Sequence, residues 1–294
     1  MPWIELHITT TAESATKISD ELEALGVQAL TSRDAGNAPI YEPAFDATPS
    51  WPDTILIALF DAEQNLTPVL NYLENQRSHG FLHEVTQHHL ADQDWERTCL
   101  DELEPMCFGL RLWICPSWKK PKDPSAINII LDPGLAFGTG THATTSLCLE
   151  WLDENIKGGE SVIDYGCGSG ILALAAIKLG AHHAIAIDHD LRALEVTRTN
   201  AERNDVNEKQ LEIYFPDDAP APQVDLLIAN ILAQPLISLA SKLATLVEPN
   251  GKILLSGILA EQAESVAAAY TPWFKMEKPT QKNEWIRLKG TKKL

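Results

Sequence analysis

The sequence predicts an α/β protein in two parts. A doubly wound parallel sheet occupies residues 105–294, and a smaller α+β domain occupies residues 1–89. A linker helix over 90–104 joins them. Three observations carry this reading. Short apolar runs alternate with helical stretches through the second half, the pattern of strands linked by crossover helices. A glycine-rich turn, Asp164-Tyr165-Gly166-Cys167-Gly168-Ser169-Gly170, joins one such run directly to an apolar helix. The first 89 residues instead read β-α-β-β-α-β, the ferredoxin-like arrangement.

In the first domain, Trp3 to Thr9 alternates with Ile4, Leu6 and Ile8 on one face, which predicts a strand. Ile18, Leu22 and Leu25 recur at helical spacing within Glu13 to Leu25, and Gly26 stops that helix. Val27 to Ser32 and Thr54 to Phe60 read as strands, separated by a Pro-, Gly- and Asp-rich loop over 34–53. Leu66, Val69, Leu70 and Leu73 mark a second helix, and Phe81 to His89 a fourth strand. No glycine loop, metal cluster or nucleophile pair occurs here, so the domain reads as a recognition module.

Beyond the linker, Leu110 to Cys115 and Ile127 to Leu131 are short strands. A loop from Asp132 to Thr145 follows, with three glycines and four threonines, and leads into a helix over Thr144 to Glu154. Phe137 in this loop could pack on a donor or shape the entrance for an acceptor. Thr141 and Thr144 suit helix capping as well as ligand contact, and His142 is a candidate base that is more often just solvated. After the glycine turn come a helix over Ile171 to Leu179, a strand ending at Asp188, and a helix over Leu191 to Asn204. Strands at Leu211 to Phe215, Asp225 to Asn230 and Gly251 to Ser256 complete the alternation, with helices over Ile231 to Leu246 and Glu261 to Tyr270. Phe274 to Lys278 and Glu284 to Leu288 read as a closing hairpin.

Charge is unevenly placed. Residues 1–104 hold 19 Asp/Glu against 4 Lys/Arg, a net of −15 out of −18 for the chain. Such a surface repels phosphate backbones and attracts basic partners. The expected partner is therefore a basic protein, with no direct nucleic-acid contact. No apolar run reaches the roughly 18 residues of a membrane span. The start carries no basic region followed by an apolar stretch, so no signal peptide is expected. Five cysteines without a C-x-x-C pair point to reduced thiols and a cytoplasmic setting, with no zinc site. The adjacent His88-His89, His182-His183 and Asp188-His189-Asp190 groups do not converge as metal ligands do, so no metal is expected.

The glycine turn reads D-x-G-x-G-x-G. A dinucleotide fingerprint needs its third glycine one residue later, where Ile171 stands. Asp188 follows Gly166 by 22 positions, about where a carboxylate meets a ribose diol. A ligand with an ammonium, a carboxylate and an adenosine suits this set. Asp164 would meet the ammonium, free N–H groups of the Gly166, Gly168 and Gly170 loop the carboxylate, and Asp188 the ribose. That ligand is S-adenosylmethionine. Asn230 ends a strand in the same frame and offers a carbonyl to orient an amine. The bland readings are a ligand-free glycine turn and a strand-end turn residue at Asn230.

Together these motifs resemble the class I S-adenosylmethionine-dependent methyltransferases. Asp132 to Thr145, Asp225-Leu226-Leu227-Ile228-Ala229-Asn230-Ile231-Leu232-Ala233-Gln234-Pro235 and Leu254 to Glu264 are more specific. With the acidic first domain they resemble the ribosomal protein methyltransferase A family, which methylates large-subunit ribosomal protein L-eleven. The resemblance implies a seven-stranded Rossmann-like methyltransferase sheet. It implies cofactor contacts at Thr145, Gly166, Asp188 and Asn230, and trimethylation of an α-amino group and lysine side chains. It also implies that the acidic domain grips the substrate, which acidity favours meeting before ribosome assembly. Two other readings stand beside it. One is an N-methyltransferase for a nucleic acid or small molecule, which calls for a basic patch or a stacking aromatic near Asn230; Ile231-Leu232-Ala233 supplies neither. The other is a non-catalytic chaperone of a basic protein.

Overall fold

The computed structural model describes residues 2–36, 51–90, 103–132, 140 and 142–294. The chain divides into two compact units, Met1–Thr98 and Cys99–Leu294. The expected linker helix lies almost wholly outside the described residues, as do Phe137 and Thr141.

In the first unit the elements are β1 (Trp3–Thr11), α1 (Ala12–Ala24), β2 (Ala29–Asp34), β3 (Asp53–Asp61), α2 (Thr67–Ser78) and β4 (Leu82–Leu90). The sheet is antiparallel in the order β2-β3-β1-β4, the expected split arrangement. Strict alternation in β1 and β3 sends Ile4, Leu6, Ile8, Leu56, Ala58 and Phe60 to one face. There they meet Ile18 and Leu22 of α1 and Val69 and Leu73 of α2. Thr11 caps α1 through its hydroxyl, and Gly26 leaves the helix at φ +87°.

The second unit opens with a three-stranded sheet, β5 (Met106–Phe108), β6 (Leu112–Cys115) and β7 (Ile127–Ile130). The strand β5 was not expected from the sequence, since three residues show no period. Next come α3 (Ala143–Asn155), β8 (Ser161–Tyr165), α4 (Ile171–Lys178), β9 (His183–Ile187), α5 (Leu191–Arg203), β10 (Leu211–Tyr214) and β11 (Val224–Asn230). The chain ends with α6 (Ala233–Thr245), β12 (Val247–Leu259), α7 (Ala263–Tyr270), β13 (Phe274–Met276), β14 (Thr280–Lys282) and β15 (Trp285–Lys292). Pro235 lies within the first turn of α6, where its missing N–H costs no helical bond.

Seven strands stand in line, β10-β9-β8-β11-β12-β15-β13, and β14 pairs with β15 as an eighth. The five from β10 to β12 are parallel; β15 and β13 close the sheet antiparallel. One face packs on α3, α4 and α5 through residues such as Leu152, Leu172 and Leu194. The other packs on α6 and α7 through Leu236, Leu243, Val266 and Tyr270. The loops that follow the parallel strands, from strand to helix, therefore gather at the carboxyl ends of the sheet.

One polar face of α5 is buried and stitches this unit together. Thr197 Oγ1 donates to the Gly168 carbonyl (3.1 Å) and Asn200 Nδ2 to the Ser169 carbonyl (2.9 Å). Just past the helix, Asn204 Oδ1 accepts from Ile130 N–H (2.7 Å) and its Nδ2 donates to the Ile130 carbonyl (2.8 Å). Asn204→Ala removes the partner of both Ile130 backbone groups. We expect a loss of about 2 kcal/mol of unfolding free energy, read as a lower urea midpoint at an unchanged m-value.

Candidate active site

The carboxyl ends of β9, β8, β11 and β12 and the amino end of the antiparallel β15 border one cavity of about 580 Å³, within the usual size for a small-molecule site. Asp188 stands just past β9, Gly166 and Gly168 after β8, Asn230 at the end of β11, Gly257 within β12, and Trp285 at the start of β15. Thr144 and Thr145 enter from the first turn of α3. Ile231, Leu232, Pro235 and Leu239 make the wall largely apolar. Five of the residues expected as cofactor contacts, Thr145, Gly166, Gly168, Asp188 and Asn230, thus meet in one place.

Two do not reach it. Gly170 has φ +77° and starts α4; a side chain there would lie 2.6 Å from Thr197 Cγ2. Its bare Cα serves the packing of α5 against the loop. Asp164 shares the face of Val162 and points into the layer of α4, while Tyr165, one residue on, faces the cavity. Asp164 Oδ2 accepts from Ala173 N–H (3.0 Å), Oδ1 has no partner, and the residue is 1% exposed. Desolvation, with a smaller push from Asp188, raises its pKa to about 7.

The expected free N–H groups of the glycine loop are also not there. Gly166 and Cys167 N–H both donate to the Ile187 carbonyl (2.7 and 3.0 Å). Gly168 N–H donates to Asp188 Oδ2 (2.9 Å), and Gly170 N–H to the Cys167 carbonyl (2.8 Å). The loop is folded against the neighbouring strand, so four of its donors hold its shape and do not await a ligand. Asp188 is tied down in the same way, since its Oδ1 accepts from Asp190 N–H (3.0 Å). Each of its oxygens keeps a lone pair for a hydroxyl donor.

At Asn230, Nδ2 contacts Thr145 Oγ1 (3.4 Å), and the buried Oδ1 has no partner. Asn230 lines the cavity, and a modest turn of its amide would present this unpaired acceptor to a donor there. His142 caps α3: its Nδ1 accepts from Thr144 N–H (3.4 Å) and contacts Thr144 Oγ1 (2.7 Å). Capping therefore falls to the histidine and not to Thr144. Burial lowers the His142 pKa, against the pull of Glu284, so the ring is neutral at pH 7.

Sequence reasoning missed Trp285 and Gly257. The indole packs edge-on against the His142 ring, centroids 4.8 Å apart, and brings to the cavity the aromatic that the neighbours of Asn230 lack. Gly257 sits where the β12 register slips, at φ +83°, and a side chain there would lie 2.3 Å from the Ile231 carbonyl oxygen. A glycine inside an apolar strand was the available signal. Among the described residues no group of His, Cys, Asp or Glu could hold a metal, and no helix is long and apolar enough to cross a membrane.

A family model described as "Ribosomal protein L11 methyltransferase (PrmA)" matches residues 2–293. Curated proteins named ribosomal protein L11 methyltransferase from Shewanella pealeana and Shewanella baltica are 51% identical over 296 residues, covering all of both chains. A crystal structure of ribosomal protein L11 methylase from Lactobacillus delbrueckii subsp. bulgaricus superposes with TM-score 0.60 at 30% identity. That match covers 65% of this chain and all of the other.

Two predictions follow from the site's geometry. The folded chain holds a proton on Asp164 that the unfolded chain releases near pH 4, so stability falls as pH rises from about 4 to about 7. The decline is up to about 1.4 kcal/mol per pH unit. In Asp164→Asn that component disappears, which urea titrations at pH 5, 6 and 7 would detect as a difference in slope. Gly257→Ala drives a methyl group into the Ile231 backbone, and we expect at least a tenfold weaker cofactor affinity by calorimetry.

Proposed function

Because the chain belongs to the ribosomal protein L11 methyltransferase family, we propose that it methylates amino groups of ribosomal protein L11, with S-adenosylmethionine as the donor. The observation that carries this reading is the cavity itself, with a carboxylate suited to a ribose at one end and the unpaired Asn230 carbonyl further along. These residues fit the cofactor. Asp188 would hold the ribose hydroxyls, Thr145 and the bare Gly166 backbone would border its amino-acid part, and Asn230 would stand by the reacting end. When bound, S-adenosylmethionine supplies an electrophilic methyl group whose bond to sulfur breaks, with its electron pair, as the bond to nitrogen forms.

The chain's own residues supply position and environment. The attacking amine must be neutral, whereas a lysine in water has a pKa of about 10.4. The apolar wall of Ile231, Leu232 and Pro235 disfavours the ammonium and so helps it shed a proton. Asn230 Oδ1 accepts an N–H from the amine and turns its lone pair toward the methyl group. The Thr145 contact holds the amide in that orientation.

The finer reading is trimethylation of the α-amino group and of lysine side chains, on free L11 in the cytoplasm before ribosome assembly. The −15 of residues 1–104 supports a basic protein held by residues 1–89, and it disfavours nucleic acid. A linker over 90–104 would let that domain present one amine after another. Incubating purified L11 with the enzyme and cofactor should give mass gains in steps of about 14 Da. L11 already in large subunits should gain less. Asp188→Ala should bind cofactor at least tenfold more weakly and lose the gains. Cofactor binding without any mass gain on L11 would sink the substrate reading.

A further inference from the structure

The sheet order separates the two ends of the cavity. Asp188 lies past β9; Asn230 is two strands away at β11, and the His142–Trp285 pair stands a further two strands on, at β15. With the ribose at Asp188, everything beyond Asn230 belongs to the acceptor. That end has an unusual make-up. The Asn230 carbonyl can take one N–H, yet an amine offers fewer N–H groups after each methyl transfer, and a trimethylated one offers none. A site built only on that hydrogen bond would lose its hold as methylation proceeds.

We propose that the rings of Trp285 and His142 form an aromatic wall that receives the methylated ammonium and so lets the reaction run to the trimethyl product. This rests on the functional reading above. An indole face attracts a quaternary ammonium through its quadrupole, most strongly where water is excluded. Trp285 is 8% exposed and lines a cavity with apolar walls. Its place is secured from two sides. Register pairs Trp285 with Leu259 of β12 and with Lys282 of β14. Ser256 Oγ, beside Asn230 in the β11–β12 register, reaches the Ile286 carbonyl (3.1 Å) and the Thr144 carbonyl (3.4 Å), tying β15 to the turn that carries His142. The neutral His142 adds a second ring without adding a positive charge that would repel the product.

In each round the nitrogen lone pair forms the N–C bond, the S–C bond breaks with its pair left on sulfur, and the new ammonium releases a proton to water before the next round. The third transfer ends on a nitrogen with a permanent charge and no proton to lose. The wall's contribution thus grows from the first transfer to the third, while that of Asn230 shrinks.

The test compares wild type, Trp285→Leu and Trp285→Phe on L11, resolving mono-, di- and trimethylated products by mass spectrometry over time. In Trp285→Leu the rate of the third transfer relative to the first should fall about tenfold, the worth of one desolvated cation–π contact, and dimethylated amine should accumulate. Trp285→Phe should recover most of the ratio. A binding measurement stands apart from turnover: Nα-acetyl-trimethyllysine amide should bind wild type more tightly than Trp285→Leu by calorimetry, with S-adenosylmethionine affinity equal in the two confirming an intact fold. An unchanged product ratio in Trp285→Leu, or equal binding of the trimethyllysine probe, overturns the wall. A wild type that methylates no amine of L11 overturns the functional reading itself.

Discussion

A side chain on Gly166 would lie 2.3 Å from Ile231 Cγ2, and one on Gly257 would lie equally close to the Ile231 carbonyl oxygen. The segment after β11 is therefore gripped between two bare stretches of backbone, one from β8 and one from β12. Everything the site does depends on that grip. It sets where the Asn230 amide stands relative to the glycine loop, and it leaves the cavity no room to collapse. The loop is secured on its other side by the Ile187 carbonyl, the Asp188 carboxylate and Thr197 and Asn200 of α5. Such a cleft is organised before any ligand arrives, so ligand binding spends little free energy on ordering it.

Much of this was legible in the sequence, for a local reason. The D-x-G-x-G-x-G turn is seven consecutive residues, and glycines at alternate positions announce a backbone at positive φ, as found at 166, 168 and 170. Asp188 and Asn230 each end an apolar run, and strand ends in a parallel sheet all point to one crevice. What escaped was long-range. The acceptor of the loop's N–H groups is a carbonyl on the neighbouring strand, and no pattern within residues 164–170 reveals it. Trp285 follows Asn230 by 55 positions and arrives only because β15 pairs with β12. Asp164 was open to better reading: the period of two in β8 places it with Val162, away from the face that Tyr165 presents.

The two units differ in physical type. The first has a core of plain alternating strands and helices, Leu6, Ile8, Phe60, Ile18 and Leu22 among them, and carries most of the chain's negative charge, with none of its described carboxylates buried. Any pull that this charge exerts on a basic partner is long-ranged and weakens with salt. Residues 105–294 carry a net charge of only −3, and what their cavity offers is short-ranged: a carbonyl, two rings and an apolar wall that matter only in contact. If residues 1–89 hold the substrate as proposed, capture and chemistry respond to different variables, ionic strength for one and cavity shape for the other.

The buried polar face of α5 has a consequence for anyone altering this enzyme. Thr197, Asn200 and Asn204 are fully committed to the backbone of the glycine loop and of β7. A library that treats this helix as ordinary core and fills it with aliphatic residues would lose the loop along with the helix. The exposed β14, whose three residues all face solvent, touches no part of that framework. Its Lys282 nevertheless bonds Ser146 and Glu150 of α3 and pairs with Trp285, so an insertion in β14 would act on the aromatic end of the cleft while sparing the glycine loop and its supports.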